Sequence, residues 1–364
     1  MEIGFDAKRL FNNSTGLGNY SRTLVRNLQA YFPEHNYHLY SPKTPDHDIT
    51  RYFHQSTFRQ HKPNVLKPFW RSHTITKDLS RDRIDIFHGL SHQLPRGIHR
   101  TGIKTVVTIH DLIHKIFPET YTFIDRTIYD QRLKYALKHA NHIVTISEHT
   151  RLDLLKYFDL NEDQVSVVYQ ACDPLFYEEE ILSLPKTVKL PTEYLLYVGA
   201  IATRKNLLAL IHAYAQIKDL PPLVLVGRGN RKCKAQVTKE AKRLNLTERL
   251  IFLENIHATP DLKALYQNCQ AFLYPSWYEG FGIPVLEAAL SKVPILTSET
   301  SSLPEAAGPH AVLVDPFDPE QMVLGIKKAL DVKRSDVEKN YSYAKQFFDP
   351  RKCAGDLMKV YDSL

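Results

Sequence analysis

The densest set of chemically capable residues in this chain is the segment Tyr274-Pro-Ser-Trp-Tyr-Glu-Gly-Phe-Gly-Ile-Pro-Val-Leu-Glu287. It reads as a strand ending near Tyr274, a glycine-containing loop, and a helix opening at Pro284, where proline suits a first turn. The backbone N–H groups of Phe281, Gly282 and Ile283 then lack intrahelical acceptors, and with the helix dipole they form a site for an anionic group. Glu279 and Glu287 flank this site. Eight helical positions span about 12 Å, whereas the paired carboxylates of a retaining glycosidase stand about 5 Å apart. The two are therefore read as touching different ends of one long ligand: adjacent ribose hydroxyls suit one carboxylate, a sugar or reacting centre the other. The competing reading makes Glu279 a solvated loop residue and Glu287 a helix-surface residue.

Other groups stand at strand ends. His110 follows the apolar run Lys104–Ile109, and His88 follows Asp85–Phe87. The loop containing Gly16 and Gly18 lies between a strand and a helix, as a dinucleotide fingerprint does. The third glycine position, however, is Ser21, and the next strand (Tyr37–Tyr40) ends in Ser41 rather than an acid for ribose, which argues against a dehydrogenase. The one Asp-x-Asp, Asp46-His-Asp48, sits in a polar loop, and no metal site is expected.

These residues need a scaffold, and the pattern supplies one. Short β-branched runs (Lys104–Ile109, His142–Ile146, Gln164–Val168) alternate with helix-like stretches (Ile124–His139, His149–Phe158), the mark of a doubly wound α/β unit. The alternation breaks over Cys172–Pro191, where prolines and Glu178-Glu179-Glu180 predict a linker. It resumes with strands at Tyr194–Val198, Leu223–Val226, Leu250–Phe252, Ala271–Tyr274 and Pro294–Leu296, and helices at Asn206–Ile217, Arg231–Leu244, Pro260–Asn268 and Pro284–Leu290. The chain thus reads as two Rossmann-like doubly wound domains facing a central cleft, with ligands at the carboxyl ends of the strands.

Length and composition agree. The 364 residues suit two domains, and 43% hydrophobic with 24% charged residues suits a globular chain. No apolar run approaches the ~20 residues of a membrane-spanning helix. The opening Met1–Ala7 is strand-like and lacks a leader pattern, so secretion is not expected. Cys172, Cys233, Cys269 and Cys353 form no CxxC pair, which fits a reducing cytoplasm. The net charge of +7 is unevenly placed, +6 in residues 1–172 and +1 in residues 173–364, and residues 51–100 hold 10 Lys and Arg against 3 Asp and Glu. Interleaved with Tyr52, Phe53, Phe58, Phe69 and Trp70, the stretch Arg51–Arg83 reads either as an anion-attracting face, toward an anionic membrane surface or a phosphate-bearing ligand, or as a solvated face with its aromatics in the core. No nucleic-acid motif accompanies it.

The segment Tyr274–Glu287 resembles the E-x7-E signature of the retaining glycosyltransferases of the GT-B fold, family 4. Ser14–Ser21 resembles that family's first glycine loop, Val107-Thr-Ile-His-Asp-Leu112 its strand-end histidine, Tyr197–Leu207 its phosphate-binding basic segment, and Ser302–Gly308 a loop downstream of the signature. The resemblance implies that Arg204 and Lys205 bind the diphosphate of a nucleotide-sugar donor, a task two cations suit. Family members often carry an arginine straight after the strand-end glycine; here it is Ala200. The resemblance further implies that Glu287 binds ribose, that Glu279 lies near the donor sugar and reaction centre, that His110 contacts that sugar, and that Gly16 and Gly18 admit the phosphates.

The reading is therefore an α/β GT-B enzyme: an acceptor-side domain (1–172), a linker (173–190), a donor domain (191–345), and a C-terminal segment (346–364) whose helix crosses back to the first domain. It is expected to move a sugar from a nucleoside diphosphate sugar, with the likeness to bacterial mannosyltransferases pointing to GDP-mannose, onto a glycan or lipid-linked acceptor. No cofactor and no metal are expected. The expected place is cytoplasmic, peripheral at the inner membrane face through Arg51–Arg83, and the alternative is a non-catalytic binding protein on the same fold.

Overall fold

The computed structural model describes residues 1–63, 69–184, 189–229, 231–256 and 258–364. Lys67, in the basic stretch, and Pro185, in the expected linker, lie outside the described residues. The chain divides into two units, Met1–Cys172 with Phe348–Leu364, and Asp173–Phe347.

The first unit is built on seven parallel strands: β1 (Glu2–Asp6), β2 (Asn36–Tyr40), β3 (Phe58–His61), β4 (Ile86–Gly89), β5 (Lys104–Ile109), β6 (His142–Thr145) and β7 (Val165–Val167), in the spatial order β3-β2-β1-β4-β5-β6-β7. Each central strand is buried on both faces, which explains continuous apolar runs such as Thr105–Ile109 in place of an alternating pattern. The C-terminal helix Pro350–Asp362 packs on the helix Gly16–Tyr31 in this unit. Asp349 caps it by accepting from the Lys352 N–H at 2.8 Å, and Tyr361 on its inner face is 2% exposed.

The second unit has six parallel strands: β8 (Leu195–Val198), β9 (Leu223–Val226), β10 (Leu250–Leu253), β11 (Ala271–Tyr274), β12 (Ile295–Ser298) and β13 (Val312–Val314), ordered β10-β9-β8-β11-β12-β13. The order reverses between β8 and β11. That reversal leaves the loops after these two strands side by side, the usual ligand position in an open parallel sheet. Arg204 and Lys205 follow β8; Glu279 follows β11.

Two expectations change. The segment from Asp173 is laid onto the second unit instead of connecting freely. Lys263, fully buried in the helix Thr259–Gln267, donates to the carbonyls of Leu175 (2.9 Å) and Glu178 (2.8 Å), and Gln267 donates to Glu180 O at 2.9 Å. A buried ammonium must be satisfied, and backbone carbonyls satisfy it here. The stretch Arg51–Arg83 is likewise not one basic aromatic face. Phe53, Phe58 and Trp70 are core residues. Arg51 pairs with Asp48, Arg59 with Glu2, and Arg81 with Asp78 and Asp82. Arg71 forms a buried bidentate pair with Asp6, its Nε 2.8 Å from each carboxylate oxygen. Local charge counting missed this because the balancing acids come from other strands.

Candidate functional site

The site in the second unit is organised around the Glu279 carboxylate. After β8 the chain makes a short 3-10 turn, Thr203–Lys205, which places two consecutive cations ahead of the helix Leu207–Ala215. Asn206 joins the two in a left-handed conformation (φ 58°) and is anchored by its side-chain amide to Pro316 O at 2.7 Å. The loop after β11 is stitched to this turn: the Trp277 N–H donates to Arg204 O at 2.9 Å. It is held from β12 as well, where Ser298 Oγ donates to Ser276 O (2.7 Å) and Thr297 Oγ1 to Tyr274 O (2.8 Å).

Four donors converge on Glu279 Oε1. Lys205 Nζ makes a short ion pair with it, Arg204 Nη1 lies at 2.8 Å, Ser276 Oγ at 2.6 Å and Tyr274 OH at 3.2 Å. The Lys205 ammonium also lies 5.0 Å from the centroid of the Tyr274 ring. The Glu279 backbone is fixed on both sides, its N–H donating to Ser301 Oγ (3.0 Å) and its carbonyl accepting from Ser302 Oγ (2.8 Å). Burial pushes the carboxyl up, but Lys205 and Arg204 outweigh it and hold the group down to about 2. Glu279 is therefore ionised at every physiological pH, and at 9% exposure it is no solvated loop residue.

Glu287 has a different environment. It sits in the helix Ile283–Leu290, is 8% exposed, and accepts from Tyr266 OH at 3.0 Å. Burial raises its carboxyl to about 8; the Tyr266 hydrogen bond opposes the shift and the charge of Asp173 adds to it. It is not the helix-surface residue of the competing sequence reading. Gly282 caps this helix at φ 106°, and a Cβ there would lie 2.9 Å from Leu303 Cδ2, so glycine is required. The helix begins at Ile283, one residue earlier than expected, and the Phe281 ring is buried. In the first turn Pro284 has no N–H, and the N–H groups of Val285 and Leu286 donate to Gly282 O at 2.9 and 3.2 Å.

The remaining predicted residues belong to the first unit. His110 follows β5, is 4% exposed, and donates from Nε2 to Leu90 O at 2.8 Å. Its backbone N–H donates to His92 Nε2 at 2.8 Å, and the Tyr20 ring meets it edge-on at 4.6 Å. Burial, with His92, lowers its pKa to about 3, so the ring is neutral. His88, left open by the sequence, is a fully buried member of β4, bonded through Nδ1 to Tyr361 OH (2.6 Å) and through Nε2 to Thr108 Oγ1 (2.8 Å), a core histidine with both nitrogens used. Gly18 is required because a Cβ there would stand 1.8 Å from Asn13 O, whereas a Cβ on Gly16 meets nothing within 4 Å.

Sequence reasoning missed Tyr274, Ser276, Ser301 and the anchoring Asn206. The available signal was the Tyr-Pro-Ser run at a strand end, where hydroxyls are out of place in a buried apolar strand. Among the described residues, no three His, Cys, Asp or Glu side chains are grouped to hold a metal ion, and no helix is long and apolar enough to cross a membrane.

Known proteins resemble this chain in sequence and fold. Residues 14–174 match the family described as Glycosyltransferase Family 4, and residues 183–347 match Glycosyl transferases group 1. The chain is 28% identical over 352 residues to O-antigen chain mannosyltransferase B of Escherichia coli, covering 91% of each protein. It is 31% identical over 260 residues to the serotype-specific mannosyltransferase WbdA of Escherichia coli, covering 68% of this chain and 32% of that longer one. Among solved structures, a glycosyltransferase from Rickettsia africae ESF-5 aligns with TM-score 0.76 at 14% identity, over 100% of this chain and 98% of that one. Anabaena Alr3699/HepE, solved with UDP and glucose, aligns with TM-score 0.76 at 15% identity over 100% of both chains. At such identities these structures speak for the fold alone. With two parallel-sheet units and both family matches in chain order, the protein belongs to the family 4 type of GT-B glycosyltransferases.

Proposed function

We propose that the protein transfers mannose from GDP-mannose to a glycan acceptor with retention of anomeric configuration. The observation that carries the reading is the meeting of Lys205, Arg204 and Glu279 where the strand order of the second unit reverses. Two cations held by one carboxylate are positioned to exchange part of that pairing for an incoming diphosphate, and to neutralise it as it leaves. The acceptor hydroxyl attacks the face from which the diphosphate departs, through an oxocarbenium-like state, so no enzymic nucleophile is needed. The anion Glu279 stays close to the developing positive charge. Glu287, largely protonated near neutrality, is suited to share hydrogen bonds with ribose hydroxyls. His110, as a neutral ring, contacts the donor sugar without exchanging protons. Gly16, with open space around its Cα, and Gly18 lie in the loop proposed to admit the phosphates, and the cations do the work a metal does elsewhere.

The mannosyltransferase names of the relatives support the donor and the glycan acceptor. The test is a panel of nucleotide sugars with a lipid-linked or free glycan, product configuration being read by NMR. GDP-mannose should be consumed, EDTA should leave the rate unchanged, and the linkage formed should be α. Turnover restricted to another donor, an inverted product or a divalent-ion requirement would each overturn the corresponding part. Binding of nucleotide without any turnover would favour a non-catalytic protein.

A further inference from the structure

His110 has a neighbour, His92, that the transfer chemistry above leaves unused. The strand β4 ends at Gly89, opposite Val107, while β5 runs on to Ile109. The loop after β4 carries on the bonding that the strand stops supplying. The His92 backbone N–H donates to Thr108 O at 3.0 Å, and His92 Nε2 accepts from the His110 N–H at 2.8 Å, a side chain standing where a strand carbonyl would. His92 holds this place at φ 55°, a left-handed backbone uncommon outside glycine. Its ring lies almost parallel to that of His110, 15° apart with centroids at 5.4 Å. Two residues earlier in the same loop, Leu90 O takes the His110 Nε2–H at 2.8 Å.

These bonds fix both tautomers. A backbone N–H can only donate, so His92 Nε2 carries no proton and its Nδ1 does. A carbonyl can only accept, so His110 carries its proton on Nε2 and leaves Nδ1 a bare acceptor. Burial, with His114 and Arg9 adding to it, lowers His92 to about 3, so this ring is neutral like that of His110. The His110 backbone is pinned on its other side as well, its carbonyl accepting from Thr150 Oγ1 at 3.3 Å. Among the described residues no hydrogen bond engages His110 Nδ1. An acceptor there suits a sugar hydroxyl, which brings its own proton; with the proton moved to Nδ1 the same position would donate instead.

We propose that His92 is a positioning residue for the transfer: it clamps the loop Leu90–His92 on the end of β5, and the Leu90 carbonyl so placed keeps the His110 proton on Nε2 and its Nδ1 ready to accept from a hydroxyl of the donor sugar. The proposal rests on the donor-sugar contact read for His110 and adds the residue that prepares it. A residue serving only the strand end would satisfy the His110 N–H and no more. His92 also stacks on the ring, and its clamp lies two residues from the carbonyl that sets the His110 tautomer.

The test joins imidazole NMR on the full chain, labelled at its histidine nitrogens, with steady-state kinetics on GDP-mannose. The His110 resonances are those that vanish in His110→Ala. His92→Phe keeps a stacked ring and removes the acceptor, whereas His92→Gln restores an acceptor, its Oε1 taking the place of Nε2. The parent should show His110 as the Nε2–H tautomer alone. His92→Phe should show both tautomers, leave the affinity for GDP unchanged and lower kcat by about tenfold or more, since a misplaced contact group costs up to about a hundredfold. His92→Gln should keep the single tautomer and recover most of the turnover. A single tautomer and parental kcat in His92→Phe, with only the melting temperature lowered, would make His92 a structural residue and overturn the proposal. Mixed tautomers or lost turnover in His92→Gln would overturn it too, and this variant decides the matter where His92→Phe does not fold. Parental turnover in His110→Ala would instead remove the sugar contact beneath the proposal. The tautomer measurement needs no turnover, so the two failures are told apart.

Discussion

Glu279 and Glu287 are eight positions apart, lie in the same unit, and are almost equally buried, at 9% and 8% exposure. Their acidities nevertheless move in opposite directions, to about 2 and about 8. The loop of Glu279 faces two cations and two hydroxyls, while the helix of Glu287 offers one phenol. Burial raises both carboxyls; the local charge decides the outcome. One site keeps a fixed anion beside cations, and the other keeps a carboxylic acid able to donate as well as accept.

The harshest way to break this contrast is to remove the cations. Arg204→Ala with Lys205→Ala should lower kcat/KM by at least three orders of magnitude, since each cation at a diphosphate site is worth about 2–4 kcal/mol in the transition state. It should also strand a buried anion, at a cost of about 3–5 kcal/mol. Adding Glu279→Gln to the double variant should restore the melting temperature without restoring activity. Recovery of activity would place the diphosphate elsewhere.

Glu279→Gln alone should cut kcat by about a hundredfold or more and leave nucleotide affinity nearly intact, a loss of transition-state rather than ground-state interaction. Glu287→Ala should do the reverse, weakening nucleotide binding more than turnover. Nucleotide titration and steady-state kinetics on both variants check this, and identical profiles would end the division of labour.

A gentler probe is pH. Glu279 is depressed below its ordinary 4.5, so its contribution is present above pH 4.5 and is lost as pH falls toward 2. Glu287 is raised, so its contribution is full below pH 4.5 and is lost as pH rises through about 8. Thermal melting should therefore show Glu287→Gln matching the parent at pH 5 and exceeding it by a few degrees at pH 9. Glu279→Gln should show no such gain. The smallest expected effect is that of Tyr266→Phe, which removes the one hydrogen bond opposing the Glu287 shift. It should cost about 1 kcal/mol and move the alkaline loss of stability to higher pH.

The strands carrying these residues were readable because a strand buried on both faces must be a short β-branched or aromatic run. Lys104–Ile109, Leu223–Val226 and Ala271–Tyr274 are observed at their expected bounds. Glu279, Arg204 and Lys205 could be singled out because loops after such strands carry polar side chains, and Glu287 because it lies in the helix that follows. The sequence could not say which charges meet. The Arg204–Glu279 and Arg71–Asp6 pairs join residues 75 and 65 positions apart. The two readings of Arg51–Arg83 stayed open for the same reason, and the burial of Phe53, Phe58 and Trp70 favours the one with aromatics in the core. Local sequence determined the elements, the two-unit α/β plan and the types of group at the strand ends. Tertiary structure alone decided which of those groups are neutralised, because charge pairing depends on distances set by strand order, and strand order brings together residues far apart in the chain.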